Sequence, residues 1–128
     1  MTYGACVKLA EEACGELAEL GISVELMDVQ TLLPFDKYGH ISQSLEKTNL
    51  ILFLDEDVPG GASAFMMQRV LDRDGGYRYL DGSPRCLSGQ PNRPAYGSDG
   101  DYFSKPSIED IVETVVAMVK ERQPQRFS

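Results

Sequence analysis

The sequence is poor in the residues that usually betray chemistry. It has one histidine, His40, and three cysteines, Cys6, Cys14 and Cys86, with no Cys-x-x-Cys pair. An odd, scattered set is neither a disulfide framework nor a zinc site; it predicts reduced, buried thiols. No apolar run approaches the ~20 residues that cross a bilayer, so no membrane partner is expected. The N-terminus lacks the basic start, apolar stretch and small-residue cleavage site of a secretory signal, and a cytoplasmic location is expected. Positive charge is in deficit: 12 Lys and Arg against 20 Asp and Glu leave a formal net charge of -8. A phosphate backbone would be repelled, so nucleic acid is not an expected partner. A basic protein partner is the sharper reading of the acid surplus. Internal repeats and low-complexity segments are also lacking.

What is present is 128 residues, 42% hydrophobic and 25% charged, the composition and length of one globular domain. Cys6, Ala10, Ala13, Cys14 and Leu17 recur at helical spacing, with Lys8, Glu12, Glu16 and Glu19 on the other side. Gly21 stands where a left-handed C-cap is wanted. Ile22 to Val29 reads as a strand, and Asp36 as the N-cap of a short helix carrying Tyr38, Ile41 and Leu45 on one face. Leu50 to Leu54 is apolar at every position, the signature of a strand buried on both faces.

Pro59-Gly60-Gly61 then predicts a turn, and Ala62 to Arg73 a helix burying Ala62, Phe65, Met66 and Val70, ended by Gly75-Gly76. Tyr77 to Asp81 stays open between an extension and a short turn. Arg85 to Ser88 is a brief strand, and residues 89–106 a long loop with Tyr96, Tyr102 and Phe103. Ser107 with Asp110 three positions on makes a capping box for a last helix, striped by Ile108, Ile111, Val112, Val115 and Val119. Residues 123–128 are expected to be a flexible tail. Strands alternating with helices predict an α/β fold: a three-layer α/β/α domain with a mainly parallel sheet. The expected strand order is Val24–Asp28, a stub at Thr2-Tyr3, Leu50–Leu54, Arg85–Ser88.

Chemistry is thin. Asp55-Glu56-Asp57 closes the most apolar strand, where open α/β sheets place ligands. An apolar run ending in Asp also resembles the acceptor strand of response-regulator receivers. The earlier acidic pair that a receiver needs is missing, because the first strand ends in Tyr3-Gly4, so a solvated strand-end cluster stands above that reading. Gly60-Gly61 lacks the spacing of a phosphate loop and follows three acids that would repel an anion. His40 lies on the polar side of its helix with no partner at ligand spacing, and Asp99-Gly100-Asp101 lacks the remaining ligands of a calcium loop. From the residues alone, no catalytic, cofactor-binding or metal-binding residue is identified.

Taken in order, Thr2-Tyr3-Gly4, Leu17, Gly21-Ile22-Ser23-Val24-Glu25-Leu26-Met27-Asp28, Thr31-Leu32, Pro34-x-Asp36, Ile41, Ser44, Lys47-Thr48, Asp55-Glu56 and Gly60-Gly61 carry a resemblance. They resemble the transketolase C-terminal-like domain of the beta subunit of thiamine-diphosphate-dependent 2-oxo acid dehydrogenases. The stretch from Arg93-Pro94 to Lys105-Pro106 looks like versions in which alpha- and beta-type modules are fused. The resemblance implies a transketolase C-terminal-like domain over 1–122, N-terminally incomplete for want of most of the first strand and of an edge strand. It implies a parent enzyme that uses thiamine diphosphate and magnesium, neither held by this domain. It further implies a non-catalytic part that assembles subunits in an oligomer and docks the dihydrolipoyl acyltransferase core. Asp55, Glu56 and Asp57 are the candidate docking patch on the charge argument, with the C-terminal tail as another. The reading from a different class is a free-standing receiver-like or flavodoxin-like module that binds phosphate or a small ligand.

Overall fold

The computed structural model of the chain describes residues 1–56, 60–89 and 106–127. Helix α1 spans Cys6–Glu19 and buries Cys6, Ala10, Ala13 and Leu17, the small-residue stripe read from the sequence. Its end is a Schellman motif. Gly21 takes φ +78°, its N–H bonds the Ala18 carbonyl at 3.0 Å, and the Ile22 N–H bonds Leu17 at 2.9 Å. Ile22 and Leu17 then share one cluster with Val119.

Helix α2 spans His40–Thr48. Asp36 caps it, but from outside the expected position. The chain makes an extra turn with Asp36 at φ +43°, and Gly39, left-handed, directly precedes the helix. The Asp36 carboxylate still reaches the N–H groups of His40 at 2.8 Å and Ile41 at 3.1 Å. That turn throws Tyr38 out to 71% exposure, so it is not part of the buried face with Ile41 and Leu45. Helix α3 starts at Ala62, is α-helical to Met67, and continues as a π-helix over Gln68–Arg73 closed by Asp74 N–H to Arg69 at 2.8 Å. Ser63, Met66 and Val70 are its buried residues, while Ala62 and Phe65 are only half-buried. The open stretch after Gly75 resolves as a 3-10 turn over Gly76–Tyr79. Helix α4, Ile108–Arg122, begins with the predicted capping box: Ser107 Oγ accepts from Asp110 N–H at 3.1 Å and the Asp110 carboxylate from Ser107 N–H at 2.9 Å. A 3-10 turn over Pro124–Phe127 follows.

Strands β1, Leu52–Leu54, and β2, Arg85–Leu87, pair in parallel with Phe53 opposite Cys86. On the other side of β1 lies Met1. Its amine donates to Leu52 O at 2.6 Å and its carbonyl accepts from Leu54 N–H at 2.9 Å, a parallel pattern centred on Phe53. Thr2 in turn makes a parallel bridge to Asp28. The order is thus Asp28, Thr2, β1, β2, as expected. The expected Ile22–Val29 strand is not formed, and only its end at Asp28 is bridged. The physical reason is pairing: Met1 to Tyr3 reach only residues 27–29, and among the described residues no backbone hydrogen bond reaches Ser23 to Leu26.

The apolar run of β1 does face two ways. Phe53 enters a cluster with Phe35, Ile41, Leu45, Met66 and Val70, while Leu54 enters another with Cys6, Ala10, Ala13 and Ile111. The three thiols are free, but only Cys6 is buried; Cys14 is half-buried and Cys86, on β2, is exposed, correcting the expectation of three core cysteines. Among the described residues no helix is long and apolar enough to cross a membrane.

Two glycines separate helix propensity from packing. Gly15 sits exposed in α1 with nothing within 4 Å of an added Cβ, whereas a Cβ on Gly76 would lie 2.6 Å from the Val70 carbonyl oxygen. Gly15→Ala should raise stability by about 0.5–1 kcal/mol. Gly76→Ala should lower it, because backbone must move. Chemical denaturation of the two variants beside the parent chain measures both signs.

Candidate functional site

The strand-end acids lie at the carboxyl end of β1, where open α/β sheets place ligands. Asp55 follows β1, and its N–H extends the ladder by bonding Leu87 O at 2.9 Å. The residue has 0% exposure. Its Oδ1 accepts from the Tyr3 hydroxyl at 2.5 Å and its Oδ2 from the Ser63 N–H, in the first turn of α3, at 2.9 Å. A buried carboxylate is tolerated when both oxygens take good donors, and hydrogen bonds to a charged group are the strong ones. Asp55 is therefore an internal tie between the N-terminal stub, β1 and α3, with no surface to offer a partner. Of the other two candidate docking residues, Glu56 is half-buried beside it and Asp57 lies outside the described residues. The loop at 90–105, with Tyr96, Tyr102, Phe103 and the fused-module resemblance, also lies outside them.

Sequence reasoning missed Tyr3 as the partner of Asp55. The signal was available: with Met1 opposite Phe53, parallel register puts Tyr3 opposite Asp55.

A cleft of about 230 Å³ is bounded by residues 22–27 on one side and by Leu50, Ile51, Leu52 and Leu54 on the other. Leu17, Leu45, Ile111 and Val115 make it apolar. Two reactive groups reach it, Cys14 and the Met1 amine, and both are pushed toward their uncharged forms. Burial lowers the Met1 amine to about 6, with nearby Cys14 acting the other way, and burial raises the Cys14 thiol. At the rim, Glu25 pairs with Lys47 and accepts from Ser44; these partners, Lys47 first, hold its carboxyl below the usual range. A smaller hollow of about 150 Å³ is lined by Asp28, Asp36 and His40. Asp36 is engaged in capping there, and the exposed His40 ring lies 6.0 Å from that of Tyr38. On β2, the Cys86 thiol is raised by partial desolvation against its neighbours and then by Asp55, and it contacts Met67 Sδ at 3.6 Å. Among the described residues no three His, Cys, Asp or Glu side chains come together as a metal site. Among the described residues His40 lies in the smaller hollow, apart from Cys14 and the Met1 amine in the cleft.

Residues 1–104 match the family described as transketolase, C-terminal domain. The chain is similar to the pyruvate dehydrogenase E1 component subunit beta-1, mitochondrial, of Arabidopsis thaliana, with 29% identity over 113 residues, covering 88% of this chain and 30% of the relative. It is similar to the pyruvate dehydrogenase E1 component subunit beta of Mesostigma viride, with 32% identity covering 90% of this chain and 35% of the relative. The 2-oxoisovalerate dehydrogenase subunit beta of Bacillus subtilis is 37% identical over 62 residues, covering 48% of this chain and 19% of the relative. The chain spans about a third of the length of the pyruvate dehydrogenase relatives it matches.

Two measurements test this geometry. Asp55→Ala would leave the Tyr3 hydroxyl and the Ser63 N–H without their acceptor, at about 1–3 kcal/mol each. Tyr3→Phe should cost less, and the double variant should fall short of the sum, measured by urea denaturation of all four proteins. The Met1 amine makes stability depend on pH. Its folded value, about 6, lies below the ordinary 8.0, so the unfolded chain binds the extra proton between them. Stability should be full above pH 8 and fall as pH drops toward 6, by on the order of 2–3 kcal/mol. N-terminal acetylation should remove that component, and an acetylated chain with the same pH profile would refute the buried amine.

Proposed function

The chain belongs to the transketolase C-terminal domain family, and on that premise we propose that it is the C-terminal assembly module of a thiamine-diphosphate-dependent 2-oxo acid dehydrogenase. The observation that carries the reading is the family match over 1–104, with beta-subunit relatives aligned over 88–90% of the chain. The parent enzyme would decarboxylate a 2-oxo acid on thiamine diphosphate and pass the acyl group to a lipoyl group. This module would supply a subunit interface in an oligomer and dock the dihydrolipoyl acyltransferase core, in the cytoplasm. We read the two clusters that meet at Phe53 and Leu54 as the two sides of a three-layer α/β/α domain.

The described residues do not fit thiamine diphosphate and its magnesium. The cleft is mainly apolar, its Glu25 and Arg122 are engaged by Lys47 and by Thr48 and Asp81, the Asp55 carboxylate is already taken by Tyr3 and Ser63, and among the described residues no cluster of three His, Cys, Asp or Glu is available to hold a divalent cation. In this reading the cofactor sits in the rest of the parent enzyme. The docking surface is electrostatic: net charge -8 draws a basic module, with Glu56, Asp57 and the C-terminal tail as contacts and Asp55 withdrawn from the patch. The receiver-like alternative loses support at the same carboxylate, since a phosphoryl acceptor must be open to its donor and Asp55 has 0% exposure.

Calorimetric titration of this chain with thiamine diphosphate and magnesium should show no saturable heat, and the chain should show no dehydrogenase activity. Micromolar binding, or saturable binding of flavin or a phosphate analogue, would overturn the reading. The DNA upstream is the independent check: an in-frame pyrimidine-binding domain is expected. In the complete enzyme, association with the acyltransferase core should weaken as salt shortens the Debye length to ~8 Å at physiological ionic strength. Salt-indifferent association would remove the electrostatic part alone.

A further inference from the structure

Arg69 lies half-buried in the π-helical part of α3. Its Nε is buried and, among the described residues, has no acceptor; its guanidinium forms no ion pair among them. Asp72, three residues along the same helix, is exposed and not bonded to it. The guanidinium instead lies over the Phe35 ring, 5.6 Å from its centroid, and Phe35 meets Phe65 edge to face at 6.1 Å. An arginine stays charged at any pH the fold meets. A ring face returns less than a lost acceptor costs, so Arg69 is carried at some expense to stability. A buried donor left unmatched in a fold calls for a reason beyond internal packing.

The loop that brings Phe35 beneath Arg69 also exposes apolar surface. Leu33, at 82%, is the most exposed large hydrophobic residue among those described, and Tyr38 is exposed too, with the Lys37 ammonium 5.6 Å from its ring centroid. The acid of that loop, Asp36, has both oxygens on the N–H groups of His40 and Ile41. Two cations, Lys37 and Arg69, thus adjoin aromatic side chains in a chain whose net charge is -8. We propose that loop 31–39 and Arg69 form a docking surface for an apolar segment of a neighbouring subunit that carries one Asp or Glu, whose carboxylate accepts the Arg69 Nε–H. That the occupant is a subunit rests on the assembly role proposed above. Arg69 lines neither the cleft of 230 Å³ nor the hollow of 150 Å³, and compact ligands are held in concavities. A single guanidinium matches a monoanion, and arginine beside aromatic rings is the make-up of an interface anchor. The surface is opposite in charge to the acids proposed to meet the acyltransferase core.

The test uses the chain and the complete enzyme. In the chain, the NMR signal of the Arg69 Nε–H should move downfield as sodium acetate replaces chloride at constant ionic strength, saturating in the millimolar range. Arg69→Met should abolish that response and raise Tm by about 2 °C, because the lone donor is gone. In the complete enzyme the same substitution should weaken subunit association about tenfold. Arg73→Met, exposed on the same helix, should leave Tm and association as they were. A signal unmoved by acetate, an acetate response that survives Arg69→Met, or a lower Tm for that variant would show Arg69 to be satisfied within the fold and overturn the inference. Micromolar saturation by acetate would assign a small-molecule site and overturn it as well. Unchanged association of the Arg69→Met enzyme would overturn the docking role and leave the assembly reading standing. A complete protein that stays monomeric would overturn the assembly reading and this occupant with it, whereas the acetate response reports on the site alone.

Discussion

Three residues of backbone hold this structure together. Met1, Thr2 and Tyr3 lie between segment 27–29 and β1 and bond to both. Thr2, 1% exposed, bridges Asp28 by its backbone and reaches Leu54 O through Oγ1 at 2.8 Å. Tyr3 continues the register to Asp55. The segment from Ile22 to Leu26 hangs from this join and from the Schellman contact of Ile22 with Leu17. Where the stub has no residue to offer, strand geometry stops.

Asp55 converts that local join into a global one. A lone carboxylate without exposure would be expensive, on any scale of ion burial. Here one oxygen takes a phenol from the stub and the other an N–H in the first turn of α3, where the helix dipole also favours negative charge. A single side chain therefore sets the spacing between the start of the chain, the end of β1 and the turn into α3. The acids that looked most functional by position include one whose role is architectural, which narrows the surface available for a partner to its neighbours.

The same features bear on function. In this member of the family the cleft beside segment 22–27 is mainly apolar, the Cys14 and Cys86 thiols are raised above their ordinary value, and the single histidine is exposed. The proposed assembly role rests on the family match over residues 1–104.

Much of this was legible in the residues. The stripe Cys6, Ala10, Ala13, Leu17, the Gly21 stop, the Ser107–Asp110 box and the all-apolar β1 are set by local periodicity and capping, which a linear reading captures. The parallel order also followed, since crossover helices leave few alternatives. Other outcomes depended on partners distant in sequence. Ile22–Leu26 has strand composition, yet strand formation requires a neighbour's backbone. Tyr38 has the right spacing for a buried face, but the left-handed turn at Asp36 and Gly39 moved the helix start past it. Cys86 lies on β2, which among the described residues pairs with β1 alone. Asp55 reads as a surface acid until Tyr3 and Ser63, 52 and 8 positions away, are brought to its two oxygens. Local sequence determined which segments are helical and where they stop; tertiary structure alone decided which edges find partners and which charge is buried, because hydrogen bonds across a sheet and burial of a carboxylate are properties of pairs.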